Sequence, residues 1–412
     1  MKIIVAYHGF LYGNYKDMLT DQFNNIILSG LYDKADKIYI GLVDTVNGAD
    51  WVRDFWKGKQ VEIVVYPENN ELADTMKWIS DHSKENPEDY ILFFHSKGVS
   101  HFDLPTEDWR KYMEYFTVER WQDCIKKLDE GFDACGVMWN PITVYGHYPH
   151  FSGAFWWASA KYINTLNYTY LETTWKYGRE MWIGTNLNAK VFEFHNSHLN
   201  DMEALTTGRS HYILRYDRSN YVHENSLNQL NSEGEYFLSD KGVIHDYLPY
   251  YDMMFSGLKN DEVNIFEIGY QYKGSLRLWE KYFLYAKIKA IDITEDRPFI
   301  NDAKALNLLT EIETGKRVKT ELIDSNTLTK EYFKDFIPDI VIDDGSHNLE
   351  DQIFIINLIY PILKKGGLLI IEDVQDIDNQ RHKFEKTGFD FYTIDKRKET
   401  GRYDEVLLIF KK

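Results

Sequence analysis

An α/β protein of two domains is predicted by three features of the 412-residue chain. Short apolar runs alternate with stretches of helical apolar spacing in both halves, the pattern of parallel sheets with crossover helices. A polar stretch poor in large apolar residues, Asn225 to Glu235, separates the halves. In each half, chemically loaded residues directly follow an apolar run, where a parallel sheet opens its ligand crevice.

Lys2 to Ala6 reads as a buried first strand ending at Tyr7-His8-Gly9, and Met18, Leu19, Phe23, Ile26 and Ile27 mark the helix after it. Ile38 to Val43, Val61 to Val65 and Tyr90 to Phe94 read as further strands, with a helix at Leu72, Met76 and Ile79 between the last two. One long helix is expected from Trp109 to Leu128, and a strand from Phe132 to Trp139.

His95-Ser96-Lys97-Gly98 leaves the fourth strand. Gly98 permits a tight turn, Lys97 offers a point charge to a phosphate, and His95 either hydrogen-bonds a diphosphate or holds a divalent metal. A surface turn with an exposed lysine explains the same residues. Downstream, Ser152-Gly153-Ala154 beside Phe155-Trp156-Trp157 suggests a sugar-binding wall, set against the usual role of aromatic residues as core. Glu180, two residues before Trp182, is suited to deprotonate an acceptor hydroxyl.

Through His95-Ser96-Lys97-Gly98, His150-Phe151-Ser152-Gly153, Phe155-Trp156-Trp157-Ala158 and Glu180 with Trp182, the first 215 residues or so resemble GT-A-type glycosyltransferases of capsule and algal-virus glycan synthesis. The resemblance implies a GT-A-like fold and a nucleotide-sugar donor, with His95, Lys97 and Gly153 at the donor and Glu180 as acceptor base. Where that family usually carries Asp-X-Asp, this chain has His95-Ser96-Lys97. Positive charge then has to come from Lys97 with His198 or Arg209, or from a metal on His95.

The composition turns polar from Thr206, and the boundary is placed near Ser232. This gives a first domain at 1–215, a linker at 216–235 and a second domain at 236–412. Val243 to Phe255 is expected as a helix on the spacing of Ile244, Tyr247, Leu248, Tyr251 and Phe255. Strand Asn264 to Ile268 runs into Gly269 and Gly274-Ser275, a looser glycine pattern than that of dinucleotide sites. A helix with Leu276, Trp279 and Phe283 follows, then strand Ala290 to Asp292. An acid ending that second strand can accept from both ribose hydroxyls of a nucleoside, and Asp292 is so placed. Asp324, after strand Val318 to Ile323, is an adenine-side contact or a plain turn residue. Glu267 is a donor-site residue or a solvated strand end. Two terminal strands, Gly388 onward and Val406 to Phe410, are expected as an edge hairpin with Lys398 to Arg402 as its turn.

Between these lie two acidic clusters. Asp339 to Asp343 and Leu368 to Ile371 read as strands joined by a helix from Leu349 to Leu363, so Asp344 and Glu372-Asp373 reach one rim. Three carboxylates at one rim repel one another unless a cation joins them, and an all-oxygen set suits Mg²⁺. His347, three residues past Asp344, can take a proton from a metal-bound hydroxyl. A capped turn explains either cluster alone; their pairing on successive strands favours a site.

These clusters, with Ser239-Asp240-Lys241-Gly242, His245-Asp246-Tyr247, Phe266-Glu267-Ile268-Gly269, Gly274-Ser275-Leu276, Trp279 and Ile291-Asp292-Ile293, resemble the metal-dependent sugar O-methyltransferases that act on macrolide antibiotics. The resemblance covers roughly 236 to 380. It implies a Rossmann-like class I methyltransferase fold with S-adenosylmethionine as donor near Glu267, Gly269, Ser275 and Asp292. It also implies Mg²⁺ on Asp344, Glu372 and Asp373, with His347 as base.

A net charge of −18 argues against nucleic acid and anionic membrane as partners, since both select clustered Lys and Arg. Aromatic residues make up 16% of the chain, which suits sugar stacking as well as core. Cys124 and Cys135 lack metal spacing and fit a reducing compartment, and no apolar run reaches membrane-spanning length, so the chain reads as cytoplasmic. The combined expectation is a bifunctional enzyme that transfers a sugar and then a methyl group onto a glycan or glycoconjugate acceptor. The alternative is a single O-methyltransferase, for a sugar or catechol-like acceptor, whose first domain is a non-catalytic glycan-binding module. None of these signals bears on oligomeric state.

Overall fold

Apolar runs without alternation belong to strands covered on both faces. In the computed structural model, which describes residues 1–100, 103–141, 148–173, 178–199, 211–221, 226–232, 239–271, 273–294 and 317–412, such runs build two separate sheets. The chain divides into two compact units, 1–222 and 223–412.

The first unit contains β1 (Ile3–Leu11), β2 (Lys37–Asp44), β3 (Glu62–Tyr66), β4 (Tyr90–His95), β5 (Ala134–Gly136), β6 (Trp139–Asn140), β7 (His150–Phe151), β8 (Trp156–Ser159) and β9 (Val191–Glu193). Its main sheet has the order β3-β2-β1-β4-β8-β5-β9, while β6 and β7 pair separately. β1 to β4 are parallel, and β8 runs antiparallel to both neighbours. The order reverses between β1 and β4, so the C-terminal ends of those strands form a topological switch point.

Several expectations change here. β1 does not stop at Ala6 but continues to Leu11, which buries His8 inside the strand. The helix expected from Trp109 to Leu128 is two helices, Leu104–Glu114 and Trp121–Asp129, joined by a π-helical turn at Tyr115–Glu119. The Arg120 amide there donates five residues back to the Tyr115 carbonyl at 3.0 Å, the extra residue that defines such a bulge. The strand expected from Phe132 to Trp139 breaks at Met138, whose φ is +56°.

The aromatic run is also reassigned. Phe155, Trp156, Trp157 and Trp182 are all within 1% of full burial, and the Trp157 indole donates to the Thr117 carbonyl at 2.7 Å. These rings are core and form no sugar-facing wall.

The second unit contains β10 (Asn264–Ile268), β11 (Lys287–Asp292), β12 (Val318–Leu322), β13 (Ile340–Asp343), β14 (Leu368–Ile371), β15 (Tyr392–Asp395) and β16 (Val406–Lys411). They are ordered β12-β11-β10-β13-β14-β16-β15, the first five parallel and β16 antiparallel to both its neighbours. This is the doubly wound order of the class I methyltransferase fold, with its switch point between β10 and β13. The terminal hairpin is present, but β16 enters the sheet and β15 takes the edge; the short helix Arg397–Thr400 lies in its turn.

The helix expected from Val243 begins only at Leu248. Pro249 stands in its first turn and disfavours helix before it. The amides of Val243, Ile244 and His245 instead all donate to the Asp240 carbonyl, within 3.1 Å.

Of the stretch read as a linker, the described parts are anchored. Arg218 pairs with Glu119 in the first unit, while Asn231 exchanges hydrogen bonds with the Ser239 backbone in the second. No described helix is long and apolar enough to cross a membrane.

Candidate active site

The register of the second sheet assembles the site. Ile268 lies beside Asp343 and Ile291, and Asp343 beside Ile371. The residues that follow, Gly269, Asp344, Glu372 and Asp373, therefore leave adjacent strands at one edge.

Asp344, His347 and Asp373 converge: one potential ligand atom from each lies within 4.8 Å of the others. His347 Nε2 is 4.0 Å from Asp344 Oδ1 and 3.9 Å from Asp373 Oδ2, too far for hydrogen bonds. His347 Nδ1 is buried with no hydrogen-bond partner among the described residues. His347 and Asp373 adopt positive φ angles of 53° and 51°, the strained backbone that clusters at ligand sites.

Glu372 is placed differently from its two companions. Its carboxylate is buried and bound by the Tyr251 hydroxyl and by Lys241, whose Nζ is 2.9 Å away. Lys241, wholly buried, also lies 2.6 Å from Asp344 Oδ2 and 3.7 Å from Glu267 Oε1. The carboxylates around it hold this ammonium well above the ordinary lysine range, against the opposing effect of burial. Burial pushes Glu267 up to about 7 and also raises Glu372, with Lys241 opposing both shifts. Asp343, also buried, is pushed up to about 7.

Asp373 is steadied on its other oxygen. Tyr247 donates to Asp373 Oδ1 at 2.8 Å, and His245 Nδ1 lies 3.5 Å from that atom and 3.1 Å from Glu405 Oε2. Asp344 and Asp373 are thus each held on one oxygen, by Lys241 and Tyr247, with the other oxygen turned to the gap near His347. Two carboxylate oxygens turned to one gap fit a hard divalent cation. The residues present therefore fit Mg²⁺ through Asp344 and Asp373, with Glu372 engaged elsewhere.

The donor-side candidates line the β10 and β11 ends. Glu267 accepts from Trp279 Nε1 at 3.0 Å, and Ser275 sits beside it in the first turn of helix Gly274–Tyr282. Gly269 has φ +80°. Asp292 Oδ2 accepts from the Tyr270 and Gln271 amides at 3.0 and 2.9 Å, and Oδ1 from Ile293 at 2.7 Å. Asp292 thus fixes the loop after β10. Asp324 is exposed and caps the turn Ser325–Thr327, as a turn aspartate does.

In the first unit, His95 Nε2 bonds the Gly153 carbonyl at 2.9 Å, and burial depresses the imidazole to about 3. Lys97 does not project freely; its ammonium sits 3.9 Å above the Trp109 ring and donates to the Tyr212 hydroxyl at 3.1 Å. Glu180 accepts from the Gly153 amide at 2.5 Å. A Cβ at Gly153, φ +94°, would meet Met113 Sδ at 2.4 Å. His198 is exposed with φ +57°, and Arg209 lies outside the described residues.

Lys241, Tyr247, Tyr251, His245 and Glu405 are the site residues that motif reading alone did not assign. The signal was available for three of them. Buried acids ending adjacent strands require a cation, and Tyr247 and Tyr251 share one helical face four residues apart, aimed at neighbouring acids.

Comparison with known proteins adds the following. Residues 14–215 match a family described as "Domain of unknown function (DUF8361)". The chain is 34% identical over 158 residues to demethylmacrocin O-methyltransferase of Streptomyces fradiae, covering 36% of each protein. It is 30% identical over 155 residues to mycinamicin VI 2''-O-methyltransferase of Micromonospora griseorubida, again covering 36% of each. The chain spans about a third of the length of these curated relatives. Among solved structures, the MycE methyltransferase in complex with Mg, SAH and mycinamycin VI aligns at TM-score 0.32 and 22% identity, over 45% of this chain and 54% of that one. The fold assignment rests on the sheet order itself.

Proposed function

We propose that the second unit is a Mg²⁺-dependent O-methyltransferase that moves a methyl group from S-adenosylmethionine to a sugar hydroxyl. The observation that carries this reading is the convergence of Asp344, Asp373 and His347 at the switch-point edge, next to the loop that Asp292 fixes. The O-methyltransferase names of the sequence relatives, one of them acting at a 2'' position, support it.

Asp344 and Asp373 would hold the metal, and Glu267, Gly269, Ser275 and Asp292 would border the donor. When bound, the metal lowers the hydroxyl pKa and the sulfonium presents an electrophilic methyl carbon. His347 accepts the hydroxyl proton at a ring nitrogen as the new O–C bond forms and the C–S bond breaks. Lys241 and Tyr247 keep the two aspartates aimed at the gap, so little reorganisation is needed.

Calorimetric titration with S-adenosylmethionine, with and without Mg²⁺, followed by methyl-transfer assays on sugar and catechol acceptors, tests this reading. Transfer to sugars alone supports it. Transfer confined to catechols replaces the acceptor class, and absence of donor binding removes the activity.

A second reading gives the first unit nucleotide-sugar-dependent glycosyl transfer. The switch point between β1 and β4, with His95 ending β4 and Lys97 just after it, favours it. The aromatic capping of Lys97 and the engagement of Glu180 by the Gly153 amide favour a glycan-binding module instead. Release of nucleotide diphosphate from a panel of nucleotide sugars decides between them.

A further inference from the structure

The segment 239–251 does more than precede the second sheet. Its Lys241, Tyr247 and Tyr251 each grip a carboxylate at the C-terminal ends of β13 and β14. The grip is selective by oxygen: Lys241 takes Oδ2 of Asp344 and leaves Oδ1 facing His347. Lys241 also occupies Glu372 and approaches Glu267, so one buried ammonium is shared by acids from β10, β13 and β14.

We infer that Lys241 is a positioning residue of the cation site, holding Oδ2 of Asp344 and the Glu372 carboxylate so that Oδ1 of Asp344 meets Asp373 and His347. This rests on the Mg²⁺ reading given above. Two roles for Lys241 predict opposite signs. Were it only a counter-charge, its removal would strengthen Mg²⁺ binding, because a nearby positive charge repels the ion. As a positioning residue, its removal weakens Mg²⁺ binding, because partners that orient ligands are worth roughly ten- to a hundredfold in metal affinity.

The test uses the full chain. Mg²⁺ is titrated calorimetrically into wild type, Lys241→Met and Lys241→Gln in the presence of S-adenosylmethionine, and S-adenosylmethionine is titrated separately without metal. Lys241→Met is expected to lose about ten- to a hundredfold in Mg²⁺ affinity while retaining donor affinity. Lys241→Gln, which keeps a hydrogen-bond donor without the charge, falls between and carries the test should Lys241→Met not fold. Unchanged or tighter Mg²⁺ binding in a folded variant overturns the inference and leaves the methyltransferase reading standing. Equal loss of both affinities assigns Lys241 to the fold and also overturns it. A wild type that binds no Mg²⁺ removes the metal reading and the inference together.

Discussion

A Cβ atom placed on Gly269 would lie 2.0 Å from the carbonyl oxygen of Asp344. The loop after β10 and the turn after β13 are therefore in backbone contact, and the proposed donor and cation sides share one wall. Gly269→Ala adds that clash to a positive φ that an L side chain resists. It is expected to cost about 2 to 4 kcal/mol and to weaken both S-adenosylmethionine and Mg²⁺ binding. Thermal unfolding and the two titrations check this; a variant that loses only donor affinity would show the two sides to be independent.

The sheet was legible because continuous apolar runs bounded by Gly and acidic residues survive any tertiary context. The convergence of Asp344, Asp373 and His347 was legible because strand ends place them without long-range information. Glu372 was not separable from Asp373 by sequence, since neighbouring residues at a strand end point to opposite sides and only the fold sends Lys241 and Tyr251 to one of them. Trp156 and Trp157 misled for the complementary reason: an aromatic run has the same composition whether it faces sugar or core, and β8 lies inside the sheet. The π-helical turn at Tyr115–Glu119 interrupts a helix whose apolar spacing reads as continuous.

In the proposed mechanism His347 acts on the proton and not on the donor. His347→Ala is expected to lower kcat by roughly 10²- to 10⁴-fold with the S-adenosylmethionine dissociation constant unchanged. Single-turnover kinetics beside a donor titration separates the two quantities. A matched loss of donor affinity would falsify the base assignment.

Asp292 holds the loop after β10 through the Tyr270 and Gln271 amides, and in the proposed donor site it also stands where a ribose would be met. Asp292→Ala removes both functions, and donor affinity is expected to fall more than about tenfold, the scale of two lost charge-assisted hydrogen bonds. Asp292→Asn keeps one acceptor oxygen and falls between. Donor affinity indifferent to both changes would remove Asp292 from the site.

Glu180 separates the two readings of the first unit. On the binding-module reading its bond to the Gly153 amide is structural, so Glu180→Ala is expected to destabilise the unit by about 1 to 3 kcal/mol, while Glu180→Gln keeps the acceptor and most of the stability. Chemical denaturation of both variants measures this. A Glu180→Ala variant as stable as wild type but devoid of sugar transfer would make it a base.

His8 makes the first unit sensitive to acid. Its ring is buried inside β1, with Nδ1 2.8 Å from Thr75 Oγ1 and Tyr66 stacked alongside, and desolvation depresses it from 6.5 to about 4. The folded state therefore keeps His8 neutral at pH values where the unfolded chain is protonated. The stability it contributes is fully present above pH 6.5 and is lost as pH falls toward 4, to a total of about 3 kcal/mol. Glu114, pushed up to about 7 by burial, acts in the opposite direction, so the comparison has to be made against a variant that shares it. His8→Gln keeps a group able to bond Thr75 and removes the titration. Ten of the eleven tryptophans lie in this unit, so fluorescence-monitored denaturation of the full chain reports on it. The stability gap between wild type and His8→Gln should shift against the wild type as pH drops from 7 to 4. A gap that stays constant across that range would mean that His8 titrates alike in the folded and unfolded chains.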